Sequence, residues 1–404
     1  MRTDARTGQF LFLNIGHLFD HMFMMLYATV VISLQDNPLF ESSYGVLLVL
    51  STWSFVAFGA GSLPAGWLGD KWSKPGMIAI FFLGIGTASI LTGLASTPFQ
   101  LGAGLLLVGV FASIYHPVGI AMVAGNAHKL GRELGINGVF GNIGIALAPV
   151  IAGVMIDQYS WRYAFIVPGV LSVFTGLAYV VFIRKFPDLR TAPSTIKMVE
   201  TSRGDFKRIL IIIAVATIFG SLVFTSTIIS LPKMLTERLG DLASSTSEAG
   251  MWTFLVFTVA ALAQIVIGHL LDRYPTKPVY FTVAVLQIPF LVIVATAAGG
   301  NVVAGSMIMM FLVFGAIPIH DTIIARHTTP EWRGRVYAVK FLLGLGIAAT
   351  AVPMVGWMYD TTGGFETMFY VLAGCSTVVT CCALALPKPK PEQAPSSQPS
   401  PTRA

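Results

Sequence analysis

Charge is what this sequence has least of. Asp, Glu, Lys and Arg together make up 11% of its 404 residues, while hydrophobic residues make up 55%. Soluble domains carry roughly 25% charged residues. So little charge over so long a chain excludes a water-soluble enzyme or a disordered scaffold, because that much apolar side chain cannot be hidden from water. The solvent is lipid. Cysteine is nearly absent too. Cys375, Cys381 and Cys382 all lie in the last apolar run, too close together for a disulfide framework or a spaced zinc site, and they read as packing residues. No Gly-x-x-x-x-Gly-Lys-Ser/Thr occurs, which argues against an ATP-driven pump. Neither a cofactor nor a resident metal is expected. No small-residue cleavage site follows the first apolar run, so that run reads as a retained membrane span rather than a signal peptide.

Long hydrophobic runs are abundant. They fall near residues 9–34, 44–69, 76–95, 98–123, 135–156, 162–184, 208–235, 247–271, 277–297, 301–325, 335–359 and 366–386. Each is close to or above the ~20 residues that a helix needs to cross the hydrocarbon core. The basic residues between them sort to one side: Arg2, Arg6, Lys71, Lys74, Lys129, Arg132, the Arg184–Arg208 cluster, Arg273, Lys277, Arg326, Arg333, Arg335, Lys388 and Lys390. The other side is poor in Lys and Arg, Lys233 and Arg238 excepted, and carries Asp36, Glu41, Glu237, Asp241, Glu248 and Glu366. The positive-inside rule puts both termini in the cytoplasm. The net charge of +6 therefore reflects topology, not a nucleic-acid partner.

The chain also repeats itself. Gly66-Trp-Leu-Gly-Asp70-Lys71-Trp-Ser-Lys74 returns as Gly268-His-Leu-Leu-Asp272-Arg273-Tyr-Pro-Thr-Lys277, and His116, Arg132, Pro149 and Asp157 answer to His320, Arg335, Pro353 and Asp360. Such an echo predicts two fused bundles with a substrate path between them. The expected organisation is an all-α membrane protein of twelve helices: an N-terminal six-helix bundle over 1–184, a cytoplasmic loop over 185–207, a second bundle over 208–386 and a Pro/Ser-rich disordered tail over 387–404.

The doubled Gly-x-x-x-Asp-Arg/Lys motif on a six-plus-six plan resembles the major facilitator superfamily over about residues 9–386. Within it, His17-Leu-Phe-Asp20-His21, Tyr115-His116-Pro117 and a Gly-rich fifth helix are similar to the fosmidomycin-resistance-like efflux group, although that group carries Asn-Asp where this chain has Asp20-His21. The resemblance implies a secondary transporter of the bacterial inner membrane, not an enzyme, acting on a small molecule with protons. It also implies a cytoplasmic latch in which Asp70 and Asp272, beside Lys71, Lys74 and Arg273, grip the opposite bundle when the cavity faces outward. Gly66 and Gly268 would let helices approach there, and the basic turn Thr329–Arg335 offers Asp70 a partner. Gly135, Gly144, Pro149 and Gly153, with Ala148 and Ala152 in place of two glycines, resemble the fifth-helix motif of proton-coupled exporters. Export of a small amphipathic or anionic compound by a monomer is the expectation. Proton-coupled import, or a non-transporting receptor on the same scaffold, is the alternative.

Ionisable residues within the spans carry the sharpest information. Asn14, His17, Asp20 and His21 share one face of the first helix, and a mid-membrane carboxylate costs at least ~2.5 kcal/mol, so Asp20 needs a wet cavity or a partner. His116 in the fourth span, and His320 with Asp321 in the tenth, belong to helices that line the cavity in the superfamily. Three readings are open. Asp20 carries the driving proton, tuned by His17 or His21; the histidines and Asp20 hold a transition metal, with Met24 or Met25; or all are structural hydrogen bonds. Tyr115 is the one aromatic singled out for the pocket.

Overall fold

The computed structural model describes residues 2–126, 130–186, 203–328 and 330–387. Twelve helices long and apolar enough to cross a bilayer are present among them. In the first half these are α1 (Ala5–Leu34), α2 (Tyr44–Lys71), α3 (Lys74–Gly93), α4 (Pro98–Gly125), α5 (Arg132–Gln158) and α6 (Tyr163–Lys185). The second half holds α7 (Phe206–Arg238), α8 (Thr246–Arg273), α9 (Thr276–Thr296), α10 (Gly299–His327), α11 (Val339–Thr362, the membrane part of a helix that starts at Pro330) and α12 (Glu366–Ala385). Every expected span is present, with ends shifted by a few residues. Residues 187–202 of the central loop and the tail from 388 lie outside the described residues.

Local chemistry sets several helix starts. Ser43 caps α2 by accepting from the Val46 N–H, Ser73 caps α3 from Gly76, Thr97 caps α4 from Gln100 and Ser245 caps α8 from Glu248. Each side-chain oxygen satisfies one of the backbone donors that a helix N-terminus leaves unpaired. Pro75 and Pro98 sit in the first turns of α3 and α4, where a missing N–H costs nothing. α4 is not regular throughout: a wide π-turn spans Tyr115–Gly119, around Pro117. Such turns mark functional positions in many helices.

The two halves pack by the same plan. α1 lies on α5 as α7 lies on α11; α2 pairs with α4 as α8 pairs with α10; α3 pairs with α6 as α9 pairs with α12. Between the halves, α5 packs on α8 and α2 on α11, again related by the twofold repeat. The outer surface carries exposed Trp53, Trp67, Phe99, Phe174, Ile265 and Trp357. In water that surface would be an aggregation liability, whereas here it meets lipid.

Candidate functional site

The ionisable face of α1 is brought against α4 and α5 inside the first bundle. His17 is buried and its Nδ1 donates to the backbone carbonyl of Asn137 in α5, 2.7 Å away. A carbonyl only accepts, so that contact fixes the proton on Nδ1. With the rings neutral, Nε2 of His17 then accepts from His21 Nε2 at 3.1 Å. The Asn137 side chain ties the cluster from below: its Nδ2 donates to Asn14 Oδ1 at 3.0 Å and to the Tyr115 hydroxyl at 2.9 Å. Tyr115 donates in turn to the Leu13 carbonyl at 2.6 Å and stacks on His17, ring centroids 4.9 Å apart.

Asp20 is 0% exposed. Its Oδ2 lies 3.2 Å from Nε2 of His116 in α4, close enough for an ion pair but off the line of a hydrogen bond, and neither carboxylate oxygen has a hydrogen-bond partner. The expectation that Asp20 needs a partner or a wet cavity is answered by a partner. His116 also touches Phe341 of α11 across the bundle interface, with ring centroids 5.8 Å apart. The histidine thus links a carboxylate buried in one bundle to the surface of the other. His17, His21 and His116 bring their ligand nitrogens within 4.8 Å of one another. The sequence reading of a metal set drew on the histidines, Asp20 and Met24 or Met25; the group that converges is the three imidazoles alone.

The sequence echo of His116 does not extend to its surroundings. His320 is buried in the second bundle, where its Nε2 meets the Tyr280 hydroxyl of α9 at 2.7 Å. It packs within its bundle and does not join the first cluster. Asp321 is not buried as Asp20 is: its side chain is 44% exposed and paired at 2.5 Å with Lys340 of α11, whose ammonium lies over the Tyr337 and Phe341 rings. Lys340 went unnoticed in the sequence reading, although it is the one lysine within the run 335–359. Asn137 was missed as well; its signal was an amide inside an apolar span.

The loop motif is present but not gripping. Asp70 pairs with Lys74 of its own loop at 2.6 Å, and its side chain is 73% exposed. Lys71, Asp272 and Arg273 are exposed. A Cβ on Gly66 would sit 3.2 Å from Pro117, so Gly66 does serve close packing of α2 on α4. Gly268 differs from expectation, since nothing lies within 4 Å of its missing Cβ. The turn after Asp272 is instead tied down by Arg326, which donates to the Leu271 carbonyl and the Thr276 hydroxyl. The side chains of residues 330–335, the expected partner of Asp70, lie outside the description.

Helix α5 uses its small residues on two faces. Gly141 abuts His17 and His21, and Gly144 abuts the Leu18 backbone of α1. Gly153 abuts Thr246 and Ser247 of α8, and Gly250 of α8 abuts the Pro149 carbonyl. Gly135 has open space around it. The contacts of Gly153 and Gly250, with Gly45 against Gly356, lie at the helix ends away from the termini. A cavity of about 390 Å³ opens within the first bundle, between α1, α4 and α5. Arg6, Arg132 and Glu133 line it together with the apolar Phe10, Leu13 and Ile136.

Two related six-helix bundles of membrane-spanning helices, with ionisable groups buried between them, define a multi-pass membrane transporter rather than an enzyme. The major facilitator superfamily profile matches residues 13–240 and 213–403. The chain belongs to the major facilitator superfamily. It is 25% identical over 347 residues to the multidrug resistance protein MdtG of Proteus mirabilis, covering 80% of this chain and 83% of that protein. The riboflavin transporter RibZ of Clostridioides difficile is 26% identical over 153 residues, 36% of this chain and 34% of RibZ. Among solved structures, a bacterial homologue of the human lysosomal transporter Spinster, inward-facing and occupied, superposes with a TM-score of 0.73 at 14% identity, covering 95% and 94% of the two chains. A point mutant of the nucleoside transporter NupG gives 0.71 at 16%, covering 94% and 100%. At such identities these two likenesses concern the fold alone.

Proposed function

We propose that the protein is a secondary transporter that exports a small amphipathic or anionic compound in exchange for protons, alternating access by rocking its two bundles. The charge asymmetry makes the terminal face cytoplasmic, so the contacts of α5 with α8 and of α11 with α2 close the side away from the cytoplasm. The observation that carries the reading is Asp20: a carboxylate wholly buried among spans, both oxygens without a hydrogen bond, and 3.2 Å from a histidine that contacts the opposite bundle. The titratable groups nearest it are His116 and Tyr115 of α4, and His116 in turn packs against His17 and His21. A proton taken up here removes a charge from a low-dielectric site and alters the His116 contact at the bundle interface. Export is favoured by the fifth-helix motif, by the likeness of the α1 and α4 residues to the fosmidomycin-resistance-like group and by the multidrug-resistance relatives.

The test begins with a deletion and overexpression pair screened against toxic compounds and metabolites, followed by substrate-induced proton movement in everted vesicles. Asp20→Asn is expected to abolish pH-driven flux while leaving substrate exchange measurable. Full coupling in this variant moves the role to Asp321; full coupling in the Asp20→Asn/Asp321→Asn double variant makes both carboxylates structural. The convergence of three imidazoles favours one second reading, a divalent transition metal as cargo. Saturable Zn²⁺ or Co²⁺ binding by the purified protein, lost in His116→Ala, would select it.

A further inference from the structure

The echo between Asp157 and Asp360 proves to be part of a longer one. Gly153-Val-Met-Ile-Asp157 ends α5 and Gly356-Trp-Met-Tyr-Asp360 ends α11, the same Gly-x-Met-x-Asp unit 203 residues apart. Gly and Asp at i and i+4 share one helix face, and in both copies that face meets the start of a helix from the opposite bundle. Asp157 accepts from the backbone N–H of Ser247 in α8 at 2.7 Å and from its hydroxyl at 2.5 Å. Asp360 accepts from the backbone N–H of Gly45 in α2 at 3.0 Å and from the Ser43 hydroxyl at 2.5 Å. Ser247 and Gly45 hold the same place, second residue of their helices, so each carboxylate satisfies a backbone donor that its target helix cannot pair internally. The negative charge also lies at the positive end of the helix dipole.

The glycines make the approach possible. A Cβ on Gly153 would lie 2.6 Å from the Thr246 carbonyl, and one on Gly356 would lie 2.8 Å from the Cα of Gly45. No side chain fits at either place. Each unit therefore combines a bare backbone contact with an anionic cap one turn further on, and the two units form a twofold-related pair of clasps across the bundle interface. Both lie at the ends of α5 and α11 on the side away from the chain termini.

We infer that Asp157 and Asp360 are gating residues: paired helix caps that hold the far face shut in this state and release together when the bundles rock. The inference rests on the alternating-access reading. Asp is replaceable by Asn in such a cap, but not by Ala. The strength of a cap then sets the balance of states, and each cap lost to Ala shifts the closed-to-open ratio of the far face roughly two- to thirtyfold.

The test uses the full chain with its three cysteines replaced, in nanodiscs. Spin labels at Leu39→Cys and Leu242→Cys report the far face, and labels at Trp72→Cys and Tyr274→Cys report the terminal face; all four positions are exposed. Asp157→Ala/Asp360→Ala is expected to lengthen the first distance and shorten the second, each single variant giving part of the shift, while Asp157→Asn/Asp360→Asn stays near the parent. If the alanine variant folds poorly, Ser43→Ala/Ser247→Ala removes both hydroxyl donors and should move the distances in the same sense, by less. Distances that respond to a pH step in the parent but are the same in the alanine variants overturn the clasp and leave alternating access standing. Far-face opening without closure of the terminal face overturns the clasp as a gate, and puts the failure in the rocking movement itself.

Discussion

Asn137 holds three neighbours at once, and its backbone and side chain have separate tasks. The carbonyl fixes the tautomer of His17, whereas the amide side chain binds Asn14 and Tyr115. Asn137→Leu therefore leaves the His17 contact in place and strands the buried Asn14 amide oxygen, while Tyr115 keeps its bond to the Leu13 carbonyl. The expected cost is about 1–3 kcal/mol for an unsatisfied buried group. It should be read as a lowered unfolding midpoint in detergent, with the pH profile of transport little changed. His17→Ala should do the reverse, shifting the pH profile more than the midpoint. Equal effects of both substitutions on the pH profile would mean that the cluster acts as a single unit.

The pairing of Asp20 with His116 could not be read from spacing, because residues 96 positions apart are placed by packing alone. What the sequence did contain was the cost of a mid-membrane carboxylate, which demanded some partner. His320 illustrates the opposite case. Its register matches His116 in the repeat, but the second bundle offers it Tyr280 instead of an aspartate, so equivalent positions took different neighbours. Lys340 was legible as the lone lysine of its run. It was overlooked because basic residues were sorted only by the loops they border.

At the scale of elements, α5 is the part on which most depends. Its small residues serve α1 on one side and α8 on the other, so one helix joins the candidate proton site to the bundle interface. The glycines are not equivalent, despite belonging to one motif. A Cβ on Gly144 would collide with the Leu18 backbone, whereas one on Gly135 meets nothing within 4 Å. Gly144→Val should separate α1 from α5 and cost about 1–3 kcal/mol or more through forced overpacking. Gly135→Ala should be neutral or gain up to about 1 kcal/mol from helix propensity. Thermal unfolding followed by tryptophan fluorescence measures both, and similar losses in the two variants would contradict the two-faced account of α5. The sequence marked the stripe of small residues but not which helix each one meets.

For the whole molecule, the arrangement of loops follows from an even number of spans. The termini should report from the same side, together with the 185–207 loop. Reporter fusions after Lys207 and at Ala404 are expected to give cytoplasmic signals, and a periplasmic signal at either point would break the assignment of faces. The state of the molecule is a separate matter. Closure at the far face rests on contacts spread over six helices: the two aspartate caps join α5 to α8 and α11 to α2, and Lys233 of α7 donates to Gln35 just past α1 at 2.9 Å. Each is modest, and together they favour one of two arrangements of the same bundles.

The sequence by itself determined the solvent, the twelve spans, the side on which basic loops gather and the twofold plan. All of these depend on local quantities: run length, hydropathy and the position of charges along one dimension. The tertiary structure decided which ionisable groups meet, which glycines are pressed against backbone, and which face is shut. Those depend on how each helix is rotated about its axis and on the partner it finds across the bundle. A repeated motif can state that Asp157 and Asp360 correspond, but only the packing of α5 on α8 and of α11 on α2 turns that correspondence into a pair of caps.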